Sequence, residues 1–186
     1  MPVGKGTKSW EILFSMQHYG VPTRLLDWTT VFSIAFYFSI KDSISSKEND
    51  VAIWALNPYL LNKLFIKTEV IWTPTDHDPD SQDYFKHFIQ LDKCDAFACD
   101  VVAMSPTKSN PRLTLQHGVF TFHKKLMPLD EMPESEKYLT KILINKELIK
   151  NCEKILTMLG INEYFVFPDV HGLGSYIKKK YFPAHA

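Results

Sequence analysis

The sequence predicts an α+β fold: a single domain in which a mixed or antiparallel sheet packs with helices. The chain has 186 residues, of which 45% are hydrophobic and 13% aromatic, and this is the composition of a globular protein with a sizeable core. Segments with the apolar spacing of helices are interspersed with short runs rich in Val, Ile and Phe that are typical of strands. These segments lack the regular strand–helix alternation of parallel α/β folds, so α+β is the favoured class.

Apolar spacing predicts five helices. They cover residues 9–19, about 30–40, 58–64, 148–159 and 172–180. Gly20 ends the first helix and Gly160 closes the fourth. Segment 30–40 is apolar on every side, so a helix there would have to be buried, with Thr29 or Thr30 as its cap. A buried strand is the alternative for that segment.

Runs of β-branched and aromatic residues predict the strands, which cover residues 51–56, 100–106, 118–123 and 138–144. Asn57 and Pro58 are suited to begin the short helix after the first strand, and Asp169 can cap the last helix. We expect residues 1–8 to be a flexible lead and residues 9–182 to form the domain.

Composition excludes several classes of function. Formal net charge is zero, with 21 basic and 21 acidic side chains, so the electrostatic pattern of a nucleic-acid-binding protein is missing. No stretch approaches the ~18 apolar residues that span a membrane, and no secretory signal is visible. Three cysteines without a framework spacing are typical of reduced thiols, so we expect a cytoplasmic protein. We expect no metal site, because the acidic cluster of residues 76–83 lies in a predicted loop without partner ligands.

The segment QHYGVPTRLLDW places many polar groups next to an apolar run. Its candidate ligand-binding residues are Gln17, His18, Tyr19, Thr23, Arg24 and Asp27. Arg24 has five donors in a fixed fork, which suits a phosphate or carboxylate. The alternative is structural: Arg24 pairs with Asp27, His18 bonds a carbonyl, and Trp28 belongs to the core. In either interpretation Asp27 is expected near the N-terminus of the next helix, where the helix dipole favours it.

A second polar segment, RLTLQHGVF, adds Arg112 and Gln116 as candidate ligand-binding residues. These two share a face if the segment forms a helical turn, because they are four residues apart. We expect the polar groups of 17–28 and 112–120 to face one cavity, since polar groups are costly to bury without partners. The alternative is a surface arginine followed by a helix stop.

The segment QHYGVPTRLLDWTTVFSIAFYF closely resembles the central signature of FRG domains, QHYG-x-PTRLLDWT-x-NP-x-x-A-x-YF. Two later segments, RLTLQHGVFTFH and LGINEYFVFPDVHGLGSYI, resemble that family's R-x-x-x-Q-x-G-x-F-T and FPD-x-x-G signatures. Two departures occur: the N-terminal Phe-Arg-Gly motif is absent, and Thr30-Val31 replaces the asparagine-proline pair. The resemblance implies an FRG-like domain over 9–182 that lacks the family's N-terminal part, from a bacterium or a phage.

FRG domains are in turn remotely similar to ADP-ribosyltransferases, which implies a pocket for NAD. On this comparison Thr23-Arg24 replaces the Ser/Thr turn, Ala35-x-x-Phe38 matches the following helix, and Gln116 stands where a catalytic glutamate would be. The resemblance therefore implies a polar pocket for an anionic, nucleotide-like small molecule, with NAD as a candidate substrate. Any catalysis would be ADP-ribosyl transfer or NAD hydrolysis. The alternative is a non-catalytic binding or interaction module, or a truncated remnant, in which the polar motif is structural.

Overall fold

The computed structural model describes residues 9–41, 50–73, 99–106, 118–167 and 169–182. These residues form helices and antiparallel strands, which confirms the α+β class. The chain divides into two compact units. Of the described residues, the first unit takes 9–28, 56–73, 99–106 and 118–139, and the second takes 29–41, 50–55, 140–167 and 169–182. The predicted domain boundaries, 1–8 and 9–182, stay predictions.

The helices are α1 (Ser9–His18), α2 (Phe32–Lys41), α3 (Pro58–Ile66), α4 (Ser135–Tyr138), α5 (Ile149–Met158), α6 (Glu163–Val166) and α7 (Val170–Tyr181). The strands are β1 (Leu25–Thr29), β2 (Val51–Leu56), β3 (Val101–Met104), β4 (Gly118–His123) and β5 (Leu139–Ile144). Short 3₁₀ turns cover Leu129–Glu131 and Lys146–Leu148. All five predicted helices and all four predicted strands are confirmed, with ends that differ by a few residues.

A three-stranded sheet in the order β1-β4-β3 organises the first unit. β3 and β4 run antiparallel, with Val101 opposite His123 and Met104 opposite Phe120. Because side chains alternate along a strand, Phe120 and Phe122 lie on one face of β4, and Thr121 and His123 lie on the other.

The first face of this sheet carries the hydrophobic core of the first unit. Its buried members are Leu13, Phe14, Leu25, Cys99, Val102, Met104, Phe120 and Phe122. The rings of Phe14 and Phe120 stack with their centroids 5.0 Å apart. This contact joins α1 to the central strand, so the end of α1 is held in place where the polar motif begins.

Asn62 joins α3 to β3 from a fully buried position. Its Nδ2 donates to the carbonyls of Val70 (2.7 Å) and Ala103 (2.9 Å), and its Oδ1 accepts from the Ala103 amide (2.7 Å). Asn57 caps α3 as predicted, with its side chain accepting from the amides of Tyr59 and Leu60. A buried amide of this kind is stable because its donors and its acceptor are bonded.

The second unit contains the two-stranded sheet β2-β5 and several of the helices. Its core cluster joins Ile40, Val51, Ile149 and Leu156. The predicted cap of α7 is confirmed, because the Asp169 side chain accepts from the Gly172 amide (2.7 Å). Among the described residues, no helix is both long enough and apolar enough to cross a membrane.

Three expectations about segment 25–40 are corrected. Residues 25–29 form β1, so Asp27 lies within a strand and not at a helix N-terminus. α2 begins at Phe32, and the Thr29 hydroxyl accepts from the Val31 amide, before the helix. The segment is helical, so the buried-strand alternative is wrong, but it is not buried on every side.

The exposure of α2 follows from where its partners lie. Ile34 and Ile40 are buried, whereas Phe32 is 64% exposed and Phe38 is 44% exposed. A ten-residue helix that packs on one side buries one stripe of its surface, whatever residues occupy the rest. Sequence hydrophobicity alone therefore overestimated how much of α2 is core.

Candidate functional site

The QHYG motif ends α1 and turns the chain towards β1. Gly20 has φ +75°, and the amides of Gly20 and Val21 donate to the carbonyls of Gln17 and Met16. This is the Schellman arrangement, in which a left-handed residue satisfies the last carbonyls of a helix. The glycine of the motif is needed for this turn, since its φ is rarely adopted by other residues.

Three polar side chains of the motif bond to one another across this turn. The Gln17 amide donates through Nε2 to Asp27 Oδ2 and accepts through Oε1 from the Thr23 hydroxyl. The Thr23 hydroxyl also accepts from the Leu25 amide (3.0 Å). We call Gln17, Thr23 and Asp27 the motif network. It ties the end of α1 to β1, and Asp27 is exposed to solvent.

Arg24 lies at a bend immediately before β1 and is half-buried. Its Nη1 donates to the Lys124 carbonyl, and its own carbonyl accepts from the His123 amide (3.0 Å). One of the five guanidinium N–H groups thus holds the side chain beside the end of β4, and the other four can donate to another group. The structural alternative expected Arg24 to pair with Asp27. Instead, Arg24 donates to the Lys124 carbonyl and Asp27 accepts from Gln17.

The remaining predicted site residues cannot all be placed. Tyr19 is 80% exposed at the end of α1. The His18 side chain, Arg112 and Gln116 lie outside the part of the chain that the structure describes. The expected cavity shared by 17–28 and 112–120 therefore stays a prediction.

A second polar group in the first unit lies within the interior. The Trp28 indole Nε1 donates to Thr121 Oγ1 (3.0 Å), and Thr121 Oγ1 lies 2.9 Å from His123 Nε2. Thr121 is fully buried and His123 is 7% exposed, while Trp28 is half-buried. We call Trp28, Thr121 and His123 the buried chain. Burial lowers the pKa of His123 below its usual 6.5, which favours the neutral imidazole at neutral pH.

Sequence reasoning missed Thr121 and His123 as candidates. Their alternation with Phe120 and Phe122 was visible, but it is equally typical of a strand whose polar face meets water. Only the burial of both faces distinguishes the two cases. The signal that could have been used is the position of Thr121 and His123 inside the segment RLTLQHGVFTFH.

Cys99 and Asp100 lie just before β3, close to the end of β4. The Lys124 amide donates to the Asp100 carbonyl (2.9 Å), and Lys125 Nζ lies 3.5 Å from Asp100 Oδ1. Burial first, and then the Asp100 charge, raise the pKa of the Cys99 thiol to about 11. Cys99 is therefore a core thiol and not a nucleophile at neutral pH. Within the described ranges, no three His, Cys, Asp or Glu side chains come together as a metal site.

Comparison with known proteins identifies the segment that carries the motif. The FRG domain family model matches residues 2–48, which include α1, β1 and α2. No curated protein and no solved structure is significantly similar to the chain. The FRG domain match covers the segment that contains the motif network and Arg24, and it confirms the resemblance of QHYGVPTRLLDW to that family.

Proposed function

We propose that this FRG-domain protein binds an anionic, nucleotide-like ligand of the NAD type through the guanidinium of Arg24. The observation that carries the proposal is the burial of Arg24 and the groups that surround it. Among the described residues it is half-buried, held by a backbone carbonyl, and opposed by no carboxylate. Removing a cation partly from water without a counter-ion costs free energy, and a bound anion would offset that cost.

The surroundings of Arg24 support this ligand class. Trp28 lies in β1, four residues after Arg24, and is half-buried. A guanidinium suits a phosphate, and an indole nearby in the sequence could stack on a ring of the same ligand. The chain has only two arginines among its 21 basic side chains, and both Arg24 and Arg112 occur in segments that resemble the family signatures.

The proposal also includes a class of reaction. ADP-ribosyl transfer or NAD hydrolysis is the chemistry to test first, in a cytoplasmic setting in a bacterium or a phage-infected cell. The proposal assigns no catalytic residue. A small anionic molecule is the proposed partner, and neither a nucleic acid nor a membrane is part of the proposal.

A second candidate is a non-catalytic interaction module in which the motif is structural. The motif network favours it, because Gln17, Thr23 and Asp27 bond to one another and brace the turn between α1 and β1. The two candidates differ in what Arg24 does. In the first it holds a ligand, and in the second it only braces the end of β4.

Thermal unfolding of three proteins separates the two candidates: wild type, Arg24→Ala and Arg24→Lys, each with and without millimolar NAD or ADP-ribose. A ligand at ten times its Kd stabilises the native state by about 1.4 kcal/mol, which shifts the wild-type melting temperature by several degrees. Both substitutions should abolish this shift, because lysine keeps the charge but loses the planar fork. Lys154→Ala, an exposed change on α5, is the matched control and should keep the shift. A wild type without any shift, together with a large loss of stability in Arg24→Ala, would support the structural module instead.

A further inference from the structure

The last helix, α7, is held to its own unit along one side. Gly172 is buried against Phe167, Tyr176 is half-buried, and Lys179 Nζ lies 3.6 Å from Glu153 Oε1 on α5. Because an α-helix has 3.6 residues per turn, Gly172, Tyr176 and Lys179 lie on the same side of α7. The opposite side of the helix faces solvent.

The solvent-facing side of α7 is apolar. Val170, Gly174, Ile177 and Tyr181 recur every three or four residues, so they form one stripe along the helix. We call these four residues the α7 stripe. Val170 is 87% exposed, Tyr181 is 63% exposed and Ile177 is 39% exposed. A continuous row of exposed apolar side chains marks a surface that another molecule covers.

Gly174 lies within the α7 stripe, and its surroundings differ from those of Gly172. A Cβ at Gly172 would collide with the Phe167 carbonyl, so the fold itself requires that glycine. At Gly174 the backbone is helical, and no atom of the described structure lies within 4 Å of the point that a Cβ would occupy. Glycine destabilises a helix interior relative to alanine. A contact from outside the chain accounts for Gly174, because a glycine lets a second helix approach closely.

The charges along α7 favour a second copy of the same helix as the occupant. Asp169 caps its N-terminus, and its last turn carries the lysines of residues 178–180. In an antiparallel pair that crosses at Gly174, residue 178 of one copy lies opposite residue 170 of the other, which brings Lys178 close to Asp169. This arrangement also opposes the two helix dipoles and keeps the two lysine clusters at opposite ends, whereas a parallel pair would bring them together.

We propose that α7 is a docking surface for a second copy of this chain: two α7 helices cross antiparallel at Gly174, and their stripes cover one another. Val170 of one copy then fits between Ile177 and Tyr181 of the other. Such an interface is isologous, so it closes after two copies. It is independent of the proposed ligand site. A pair of 12-residue helices buries less than the roughly 1,600 Å² of a standard interface, so the dimer is weak, with a Kd on the order of 10–100 µM.

Sedimentation equilibrium of the full chain over a range of concentrations measures this dimer directly. Gly174→Leu places a large side chain at the crossing point and should abolish dimer formation at every concentration. The same substitution replaces glycine in a helix interior and meets open space within the chain, so it should raise the melting temperature of the monomer by about 2 °C. A variant that is more stable yet monomeric separates a docking role from a structural one.

A charge reversal tests the pairing of opposite ends. Lys178→Glu brings a carboxylate towards Asp169 of the second copy, so it should weaken the dimer about tenfold or more. Lys154→Glu makes the same change at an exposed position on α5 and should leave the dimer unchanged.

Cysteine cross-linking tests the antiparallel direction. Val170→Cys and Ile177→Cys, mixed in equal amounts under mild oxidation, should form a disulfide-linked dimer, because these positions of opposite copies lie side by side. Either variant alone should link no more than the wild type does, since its own two copies of the new thiol are too far apart. The wild type gives the background from the native cysteines.

Three outcomes overturn the inference. The first is a wild type that stays monomeric up to millimolar concentration. The second is a dimer that Gly174→Leu and Lys178→Glu leave intact, because another surface then forms it. The third is a monomer that binds vesicles containing anionic lipid; a lipid surface then covers the stripe, and Gly174 has no role in the contact. A concentration-dependent dimer that both variants weaken, and that the mixed cysteine pair cross-links, supports it.

Discussion

The motif network and the buried chain have the same number of side chains and lie in the same unit, yet their surroundings differ. Asp27 of the motif network is exposed and Gln17 is half-buried. In the buried chain, Thr121 is fully buried and His123 nearly so. Water can replace a lost partner in the first network and cannot do so in the second.

The residues of the motif network are recognisable in the sequence, whereas those of the buried chain are expected to contribute more to the stability of the fold. Losing an exposed hydrogen bond costs about 0.5–1.5 kcal/mol or less, whereas leaving a buried donor or acceptor without a partner costs about 1–3 kcal/mol. Residues of the motif network can therefore be changed with little loss of stability. If their substitution removes ligand binding, that loss reports on function.

The largest expected effect is the loss of the Trp28 side chain. Trp28→Ala should lower the free energy of unfolding by about 3 kcal/mol, the lower end of the range for large aromatic residues, because Trp28 is half-buried. Trp28→Phe keeps most of the packing but leaves Thr121 without its donor, so it should cost about 1 kcal/mol.

Urea denaturation followed by circular dichroism measures both values. Leu126→Ala is the control, since Leu126 is 82% exposed in the same unit and its loss should stay within about 0.5 kcal/mol. Equal losses for Trp28→Ala and Leu126→Ala would show that the buried chain does not stabilise the fold.

The second expected effect is a loss of stability in acid that depends on His123. Burial lowers the pKa of His123 in the folded state below 6.5, so the unfolded chain binds a proton more readily. The contribution of His123 to stability is then fully present above pH 6.5 and is lost as the pH falls below that value. The melting temperature of the wild type should drop between pH 7.5 and pH 5.5 by more than that of His123→Asn.

The difference between the two proteins isolates His123 from the other titrating groups. His171→Asn, an exposed change on α7, should leave the acid sensitivity as it is in the wild type. An identical pH dependence for wild type and His123→Asn would mean that His123 is solvated and that the buried chain resembles the motif network.

The smallest expected effect belongs to the motif network. Gln17→Ala removes the bonds to Asp27 and Thr23, yet it should cost no more than about 1 kcal/mol because its partners can bond to water. A double-mutant cycle of Gln17→Ala and Asp27→Ala should give a coupling of about 0.5 kcal/mol. A coupling above about 2 kcal/mol would place this network in the same class as the buried chain.

Local sequence determined the ends and types of most elements. Gly20 ended α1, Asn57 began α3, and Asp169 capped α7, each through a bond or a φ value that depends on residues a few positions away. The QHYG motif likewise indicated a resemblance to FRG domains from neighbouring residues alone, and the FRG domain model matches residues 2–48. Caps and turns of this kind can be predicted from the sequence because the residues that form them are close along the chain.

Only the tertiary structure decided which faces are buried and which strands pair. β1 has an exposed Leu26 and Asp27 and is a strand because it pairs with β4, almost a hundred residues away. His123 and Phe38 show the same dependence in opposite directions: the polar residue is buried, and the apolar one is 44% exposed. Burial is set by what packs against a side chain, and for these residues that information lies in distant parts of the chain.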